Sequence, residues 1–368
     1  MEARWGQLLA VVLLAGLFPA PGVLAEDADR IEEEIIVIGS KTNATRQELG
    51  TSVGLFDAER IKAETIYNVE DIFDRTANAF TGTASFGAYS IRGVNNNGIA
   101  GAFNNSNALA SIVLNGVAIG INSGDYLKPS MFDAQSVEIL RGPQSSLQGP
   151  NSLIGAVYTN YNRAQFGNND GVVRAEGGEL GTLRLGLAQN LEIVDDVFAA
   201  RIALEKREAD GDVVNTTTGT DNVQREDEET IRLALGWRPQ GDDRVTLDFT
   251  YMHNDSDSNP FALVVAPPGG DLFDREQPFD VDDEYPSEFD LFAFEFGWQL
   301  SDSWRLTAIT GVSDFELLQV FDGDLTQFPF LAVESFIEED LFSQEIRVNY
   351  AGESIDAIFG VYYARSRR

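Results

Sequence analysis

The sequence predicts a transmembrane β-barrel, of which about nine strands are present, preceded by a small mixed α/β domain. Three observations support this fold class: an export signal at the N-terminus, a two-residue alternation of apolar and polar residues that recurs after about residue 169, and connections that alternate between short and long. Alternation with period two is typical of strands that face different surroundings on their two sides.

The first 25 residues have the composition of a secretory signal. Arg4 precedes an unbroken apolar run of 11 residues, Leu8 to Phe18, and Ala25 ends the segment, where we expect cleavage. Neither this run nor any later one reaches the roughly 18–20 apolar residues of a membrane-spanning helix. A mature chain that enters a membrane would therefore enter it as strands, and we expect the outer membrane as its location.

The charge and cysteine content exclude several classes of protein. A net charge of -33 repels phosphates, so no nucleic-acid partner is expected. With no cysteine, neither a disulfide nor a thiolate metal site exists. The acidic residues concentrate in segments that we interpret as solvated loops, with cation binding as the alternative: 32–34, 225–229, 271–288 and 334–340.

Residues 26–48 form an N-terminal segment in this interpretation, and residues 49–166 a small α/β domain. We predict short helices at 58–61 and 69–73, the second with Asn68 as its N-cap. Ile112 to Leu114 followed by Asn115-Gly116 predicts a strand that enters a tight turn. The Asn-rich segments 95–98 and 103–107 are interpreted as loops.

Residues 167–368 are predicted to be barrel strands. The clearest lies at 244–251, where Val245, Leu247, Phe249 and Tyr251 alternate with polar residues. The nine predicted strands lie near 171–178, 182–192, 197–208, 229–238, 244–254, 289–300, 304–316, 340–350 and 356–365.

The connections between these strands alternate in length. Short turns near 194–196, 239–243, 301–303 and 351–355 alternate with loops near 209–228, 255–288 and 317–339. Short periplasmic turns and long extracellular loops are typical of outer-membrane barrels. Trp237, Trp298 and Trp304 lie near short turns and predict an aromatic girdle at one membrane interface, whereas a soluble β-sandwich would place them in its core.

Several motifs make the chain resemble TonB-dependent outer-membrane receptors, from the signal peptide to the last residue. Residues 33–40 resemble the TonB box, residues 89–94 and 112–117 resemble two motifs of the plug domain, and residues 137–157 give the strongest match. Residues 342–347 and 358–363 are similar to paired barrel strands of this family. The sequence departs from the family pattern at Asn115, Gln148 and Pro150.

The resemblance implies a plug inside a 22-stranded barrel that imports scarce nutrients, such as siderophores, when an inner-membrane energy complex pulls on the plug. The implied partners are the TonB protein of that complex, outer-membrane lipid and a small-molecule substrate. The segment expected to bind TonB by strand addition comprises Ile35, Ile36, Val37 and Ile38. The plug-motif residues are Arg92, Gly93, Glu138, Arg141, Gly142, Pro143 and Gly149.

Two further interpretations concern individual residues. Glu138 and Arg141 could form ion pairs that hold the plug against the barrel, or they could be solvated turn residues. The plug loop that would form the floor of a substrate site contains Asn95, Asn96, Asn97, Phe103, Asn104 and Asn105.

No enzyme is expected, because the sequence has no Gly-Lys-Ser/Thr phosphate loop, no Cys or His ligand cluster and no Gly-x-Ser-x-Gly motif. We therefore predict no catalytic residue, cofactor or metal site. His253 is interpreted as a surface or rim residue of a strand.

Three alternatives remain open on the sequence. A passive porin-like or structural barrel would need neither the 33–40 segment nor the 137–157 motif, and a secreted β-sandwich would be soluble without detergent. With about nine strands where the family uses 22, the third alternative is a truncated fragment without function. The acidic 271–288 loop favours a neutral or cationic substrate over an anionic one, without identifying it.

Overall fold

Two sheets organise the chain: a five-stranded mixed sheet in the small domain and a nine-stranded antiparallel sheet after it. The computed structural model describes residues 41, 52–81, 89–96, 109–143, 152–259, 264, 272–352 and 355–368. These residues belong to one compact unit, residues 36–368. The predicted signal peptide and the 33–40 segment lie outside the described residues.

In the described part of the small domain there are three short helices: α1 (Ala58–Ala63), α2 (Val69–Asp74) and α3 (Ile121–Tyr126). The predicted helices at 58–61 and 69–73 are confirmed as α1 and α2. Asn68 caps α2 as predicted, since its side-chain oxygen accepts from the Asp71 amide at 3.1 Å. The Asp71 carboxylate accepts in return from the Asn68 amide, and this capping box fixes the start of the helix.

The small domain has eight strands among the described residues: β1 (Ser52–Asp57), β2 (Ala79–Thr81), β3 (Tyr89–Ile91), β4 (Val94–Asn95), β5 (Ala110–Leu114), β6 (Val117–Ala118), β7 (Ala134–Arg141) and β8 (Gly155–Tyr161). The main sheet has the order β1-β7-β8-β5-β6, with β5 and β8 parallel and the other pairs antiparallel. β2, β3 and β4 form a separate antiparallel sheet.

The nine-stranded sheet confirms the predicted number of strands: β9 (Gly171–Gly177), β10 (Leu183–Val194), β11 (Phe198–Ala209), β13 (Glu226–Trp237), β14 (Val245–Ser256), β16 (Ser287–Ser301), β17 (Trp304–Asp322), β18 (Ala332–Ala351) and β19 (Asp356–Arg367). We call this sheet the wall. Two short strands, β12 (Val214–Asn215) and β15 (Glu276–Gln277), pair in parallel between the long loops. Among the described residues, no helix has the length and apolarity needed to cross a membrane.

The predicted long loop at 317–339 is wrong, because β17 and β18 continue to pair up to Asp322 and Ala332. Leu317-Leu318 breaks the alternation on which the prediction rested, yet the hydrogen-bonded register runs on unchanged. Strand pairing also extends through two acidic segments that we expected to be loops. Glu226 to Glu229 belong to β13, and Glu334 to Asp340 belong to β18. The β9–β10 connection, residues 178–182, is short although it lies on the side of the long loops.

The small domain packs against one face of the wall. Its apolar core, which includes Ile72, Val137 and Val157, is continuous with Phe289 of β16 and Phe315 of β17, and all five side chains are buried. Burial of apolar side chains from both parts supplies the main attraction between them. We call this face of the wall the inner face.

The opposite, outer face of the wall exposes apolar side chains. Trp237, Trp298 and Trp304 are 48%, 45% and 40% exposed and lie at strand ends next to short turns. They are therefore not core residues among the described part of the chain, as a β-sandwich would require.

Candidate functional site

The contact between the small domain and the wall contains buried polar and charged side chains from both parts. One buried part of it is an ion pair between Asp133 and Arg201 of β11. Arg201 Nε lies 2.9 Å from Asp133 Oδ2, and Arg201 Nη2 lies 2.5 Å from Oδ1. The side chains are 8% and 4% exposed. This two-point geometry in a dry setting is the strong form of such a pair.

The chain positions Asp133 through its backbone. Asp133 has a positive φ of 58°, a conformation that Asp tolerates better than most residues. Asn162 donates to the Asp133 carbonyl at 3.2 Å and to Oδ1 at 2.9 Å. These bonds hold the carboxylate towards the wall.

Phe132, next to Asp133, is buried in a recess of the wall made by small residues. Its ring is 2% exposed and packs on Ala188 and Ala203. A Cβ atom on Gly186 of β10 would lie 2.8 Å from the ring, so the recess exists because residue 186 is glycine. The Phe132 carbonyl accepts from Arg232 of β13.

Ser130 completes this contact. Its hydroxyl donates to Glu205 of β11, and its carbonyl accepts from the Tyr161 hydroxyl at 2.9 Å. Burial raises the pKa of Tyr161 to about 12, so this phenol remains a neutral donor. We call residues 130–133 the docking segment.

A second contact joins α3 to β18. The Glu339 carboxylate accepts from the backbone amides of Asn122 at 2.8 Å and Ser123 at 3.2 Å. Gly120 allows this approach, since a Cβ there would lie 2.1 Å from the carboxylate. Nearby, Val117 of β6 packs so closely on β17 that a Cβ on Gly311 would lie 2.3 Å from it.

Two cavities lie along the inner side of β16–β19. One, of about 390 Å³, is lined by residues that include Lys41, Glu295, Arg305 and Arg347. A second, of about 110 Å³, shares Lys41, Glu295 and Arg347 and reaches Tyr158. The contact with the wall is therefore incompletely filled next to Tyr158 and Arg347, beside a closely packed apolar part.

Lys41 ties the chain just after the predicted TonB box to the wall. Its Nζ lies 2.6 Å from Glu345 Oε2 of β18, and its carbonyl accepts from Asn349 Nδ2 at 2.8 Å. The sequence did not predict this contact of Lys41, because the partner residues are about 300 positions away.

The long loops are joined to one another. The Asp282 carboxylate accepts from Asn215 Nδ2 at 2.8 Å, Thr218 Oγ1 at 2.7 Å and Thr220 Oγ1 at 2.6 Å. Because the loop after β11 and the loop before β16 also pair through β12 and β15, they form one polar body at this end of the wall.

Carboxylates converge in this body. Asp280, Asp322 and Asp324 offer oxygen atoms within 4.8 Å of one another. Burial and a hydrogen bond with Asp322 raise the pKa of Asp280. Burial, together with the nearby charges of Asp322 and Asp282, raises the pKa of Asp283 to about 6, although the Asp322 amide opposes the shift.

His253 lies in β14 on the outer face, partly exposed, as the interpretation of a rim residue expects. Its Nδ1 lies 3.2 Å from Asp290 Oδ1, and Glu288 is also within reach. The sequence did not predict this grouping, which arises from the register that pairs His253 with Asp290.

The plug-motif residues are brought together in the small domain. Arg92 and Gly93 form the β3–β4 turn with positive φ of 54° and 78°. Arg92 Nη1 would lie 3.2 Å from a Cβ on Gly142, so the glycine lets this guanidinium approach the backbone. Pro143 follows at the surface, and Gly149 lies outside the described residues.

The predicted ion pair between Arg141 and the barrel is wrong. Arg141 donates to the Ala77 carbonyl and to the Ser52 hydroxyl, each at 2.7 Å, and both belong to the small domain. Glu138 is buried in β7 opposite Tyr158. Among the described residues, Asp133, Lys41 and Arg163 form ion pairs with the wall, and the sequence did not single them out.

Of the predicted floor residues, Asn95 is exposed in β4 and Asn96 is buried. Asn96 Oδ1 accepts from the amides of Leu109 at 3.1 Å and Ala110 at 2.8 Å, so this side chain holds the two ends of the loop. Asn97, Phe103, Asn104 and Asn105 lie outside the described residues, and contact of this loop with a substrate stays a prediction.

A small α/β domain against the inner face of an antiparallel wall defines the class of plugged β-barrel proteins. Residues 45–156 match the family model of the TonB-dependent receptor plug domain. Among solved structures, the ferric yersiniabactin uptake receptor FyuA from Yersinia pestis superposes with a TM-score of 0.75 at 18% identity, covering 86% of this chain and 48% of FyuA.

Two further structures have the same fold. The open form of the ferric-catecholate import receptor Fiu from E. coli K12 gives a TM-score of 0.69 at 16% identity, covering 89% of this chain and 51% of Fiu. The copper transporter OprC gives 0.62 at 14% identity, covering 85% and 46%. The chain thus has the plug domain and the fold of TonB-dependent receptors and spans about half the length of the receptors it matches.

Proposed function

We propose that this protein takes part in energy-coupled import of a small ligand across the outer membrane as a TonB-dependent receptor. The observation that carries the proposal is the plug domain, seated on the inner face of a wall with the receptor fold. A passive pore has no need of a domain that fills its lumen through apolar contacts and buried ion pairs.

The partner on the inner side is the TonB protein of the energy complex. Ile35 to Ile38 is a β-branched apolar segment in the sequence, and we propose that it adds a strand to an edge of that partner, where backbone hydrogen bonds provide the affinity. Lys41 then connects the pulled segment to the plug, and its bonds to Glu345 and Asn349 are the first that a pull would load.

The outer face of the wall is proposed to contact outer-membrane lipid. Phe292, Phe294 and Trp298 of β16 are 45%, 40% and 45% exposed on this face. Exposed apolar side chains in a continuous row suit hydrocarbon rather than water.

The loops favour a neutral or cationic ligand. Their two arginines are already paired, Arg225 with Asp257 at 2.6 Å and Arg275 with Asp212 at 2.6 Å. The other described charges of these loops are carboxylates, including the group around Asp280 and Asp322. Siderophore receptors and a copper transporter share the fold, and an acidic entrance suits a cation better than an anion.

The test of energy coupling replaces Ile36 with proline, which removes a backbone donor from the strand without touching the plug. We expect Ile36→Pro to abolish uptake while ligand binding to outer membranes is unchanged. Ile36→Val is the matched control and should support uptake. Undiminished uptake by Ile36→Pro, or uptake in cells that lack the energy complex, would identify a passive barrel.

The test of the substrate floor uses Asn95 rather than Asn96. Asn96→Ala would release the loop ends that Asn96 holds, so a loss of binding would not show that Asn96 contacts the ligand. Asn95 is exposed, and Asn95→Ala together with alanine at 103–105 should weaken ligand binding without loss of folded protein. Unchanged affinity would exclude this loop as the floor.

A further inference from the structure

A cavity of about 400 Å³ lies at the loop end of β11 and β13, where the plug, the wall and the long loops meet. The plug contributes Glu70 and Lys128 to its lining, β13 contributes Glu226, and the loops contribute Asp212 and Arg275. This volume is within the range of sites that hold small molecules.

We propose that this cavity binds the imported ligand, and that the ligand is a small neutral molecule rich in hydroxyl groups, namely a mono- or disaccharide. The inference rests on the proposed function, because it names the class of substrate that the receptor would import. The cavity is distinct from the predicted floor, since the described floor residues Asn95 and Asn96 are not part of its described lining.

The charge of the lining disfavours an anion. Among the described lining residues there are five carboxylates and three basic side chains, so an anionic ligand would be repelled. Most of these charges are already paired with one another. Lys128 Nζ lies 2.8 Å from Glu70 Oε2, and Arg275 Nη2 lies 2.6 Å from Asp212 Oδ1.

Two further carboxylates of the lining are neutralised by an arginine that is not exposed. Glu226 and Glu228 both pair with Arg207 of β11, whose side chain is 1% exposed. An ion in the cavity would have to compete with these existing pairs, and it would also lose its own hydration. A neutral ligand can bind without breaking an ion pair.

The paired groups keep hydrogen-bonding capacity for such a ligand. Arg275 Nη2 donates both to Asp212 Oδ1 and, at 3.2 Å, to Gln224 Oε1, which holds three planar polar groups together. Arg275 Nε is buried and has no partner among the described residues, and a ligand oxygen could accept from it. Because a hydroxyl both donates and accepts, a molecule with several hydroxyls matches a lining of mixed donors and acceptors.

The described lining has little apolar surface. Only Leu180 and Ala209 of the described lining residues have apolar side chains, and none of these residues is aromatic. Pockets for apolar ligands are lined mainly by hydrophobic and aromatic side chains. The lining therefore suits a polar ligand rather than an aromatic one.

The test places a single cysteine in the cavity, where it is a unique label because the chain has no cysteine of its own. Leu180 lines the cavity and is 52% exposed, so Leu180→Cys should fold. Phe330→Cys is the control for an open surface, since Phe330 is 79% exposed between β17 and β18. The receptor is expressed from its own gene, held in lipid nanodiscs, and labelled with a small thiosulfonate while the rate is measured.

Protection of the cysteine reports which class of molecule occupies the cavity. The probes are glucose, galactose, arabinose, maltose and sucrose, with citrate as an anion and spermidine as a cation. We expect at least one sugar to slow labelling at 180 by about tenfold or more at saturation, as mass action requires, without an effect at 330. If no sugar protects position 180, or if citrate or spermidine protects it better than the sugars do, the proposal is wrong.

A substitution in the Leu180→Cys background tests the role of Arg275. Arg275→Gln removes the pair with Asp212 and the buried Nε–H group, so the affinity for the protecting sugar should fall by about tenfold. Arg244→Gln is the matched control, because Arg244 forms a similar pair with Asp242, at 2.8 Å, at the opposite end of the wall. Equal affinities in the two variants would show that the sugar binds outside this cavity.

These measurements require neither uptake nor the energy complex, so they can fail independently of the test of energy coupling. Loss of uptake in Ile36→Pro without protection by any sugar would support the proposed function and overturn this inference. Protection by a sugar with undiminished uptake in Ile36→Pro would support the site and identify a passive barrel.

Discussion

At the scale of single residues, Asp133 shows how backbone conformation and charge act together. Its positive φ turns the chain, Asn162 fixes the carboxylate, and Arg201 receives it in a dry setting. Removing a carboxylate from this position should destabilise the fold more than removing one from the surface, because water cannot hydrate the arginine charge that it neutralises.

The first prediction concerns this pair. Asp133→Asn keeps the backbone conformation, since Asn also tolerates positive φ, but leaves Arg201 without its buried counter-charge. We expect the plug to lose about 3–5 kcal/mol of stability against urea, as for other broken buried pairs. The measurement is labelling of a cysteine at Val157, which is fully buried in the plug core.

Glu295→Gln is the control for Asp133→Asn. Glu295 pairs at 2.7 Å with Arg163, whose side chain is 40% exposed and can be rehydrated. A loss of about 1 kcal/mol or less is expected there. Equal losses at the two sites would mean that burial of the Asp133 pair does not set its strength.

The second prediction is a pH dependence at Asp283. Its pKa is raised to about 6 from an ordinary 3.8, so the folded loop binds a proton more tightly than the unfolded loop does. The stability of the loop therefore falls as the pH rises from about 4 to about 6 and stays low above that range. Asp283→Asn should slow amide exchange of the loop at about pH 7.5 and have little effect at about pH 4.

Asp242, in the β13–β14 turn, should give the opposite dependence of stability on pH. Hydrogen bonds from the Arg244 amide and guanidinium lower the pKa of Asp242. Its stabilisation is present above the ordinary pKa and is lost as the pH falls, so Asp242→Asn should speed exchange of the turn at about pH 7.5. If both substitutions stabilised their segments at about pH 7.5, the causes given for the two pKa shifts would be contradicted.

At the scale of elements, the β5–β6 hairpin shows how a short sequence signal determines a turn and its contacts. Asn115 and Gly116 both have positive φ, 46° and 85°, which two-residue hairpin turns require. The Asn115 side chain is also used, because its Oδ1 accepts from the Tyr161 amide at 2.7 Å. The turn therefore fastens β5 to the end of β8.

The third prediction follows from this double use. Asn115→Ala adds backbone strain and leaves the Tyr161 amide without its acceptor, and we expect a loss of about 2–4 kcal/mol in plug stability. Asn115→Asp keeps the acceptor and should lose much less. The cysteine at 157 again provides the measurement, and similar losses in both variants would exclude the Tyr161 bond as the cause.

Strand elements were predictable where alternation is regular and were missed where it is not. The β14 pattern gave an accurate strand, since Val245 to Tyr251 alternate without interruption. β17 was ended too early because Leu317-Leu318 puts apolar residues on both faces. Its continuation is decided by pairing with β18, whose partner residues are up to 46 positions away at the start of the pair, Trp304 with Tyr350.

At the scale of the whole molecule, the wall separates two environments. Phe289 and Leu291 of β16 are buried against the plug, while Phe292 and Phe294 of the same strand are exposed on the outer face. A strand that is apolar on both faces, yet is covered by protein on only one, suits a sheet between a plug and lipid.

The fourth prediction tests that arrangement. Phe294→Arg places a charge in the middle of the outer apolar row and should reduce assembly in outer membranes, with a cost of about 2–4 kcal/mol. Asp290→Asn, at the polar end of the same strand face, is the control and should assemble normally. Assembly is measured by the heat-modifiable mobility of the folded barrel in gels, and normal assembly of Phe294→Arg would favour a water-exposed wall.

The sequence alone determined the class of fold, the number of wall strands and two short helices, the second with its N-cap. These depend on local quantities: the period of apolar residues, the Asn68–Asp71 capping box and the turn preference of Asn115-Gly116. The plug motif was also recognisable from the sequence, because Arg92, Gly93 and Gly142 make their contacts within one small domain.

Only the tertiary structure decided how the plug is held. Arg141 was the expected contact with the wall and bonds within the plug instead, while Asp133, Phe132 and Lys41 make that contact. Each acts through a residue far away in the sequence, 68 positions for Asp133 with Arg201 and 304 for Lys41 with Glu345, on a surface that exists only once the wall has formed. No local pattern specifies such partners, because burial and register, rather than spacing along the chain, bring them together.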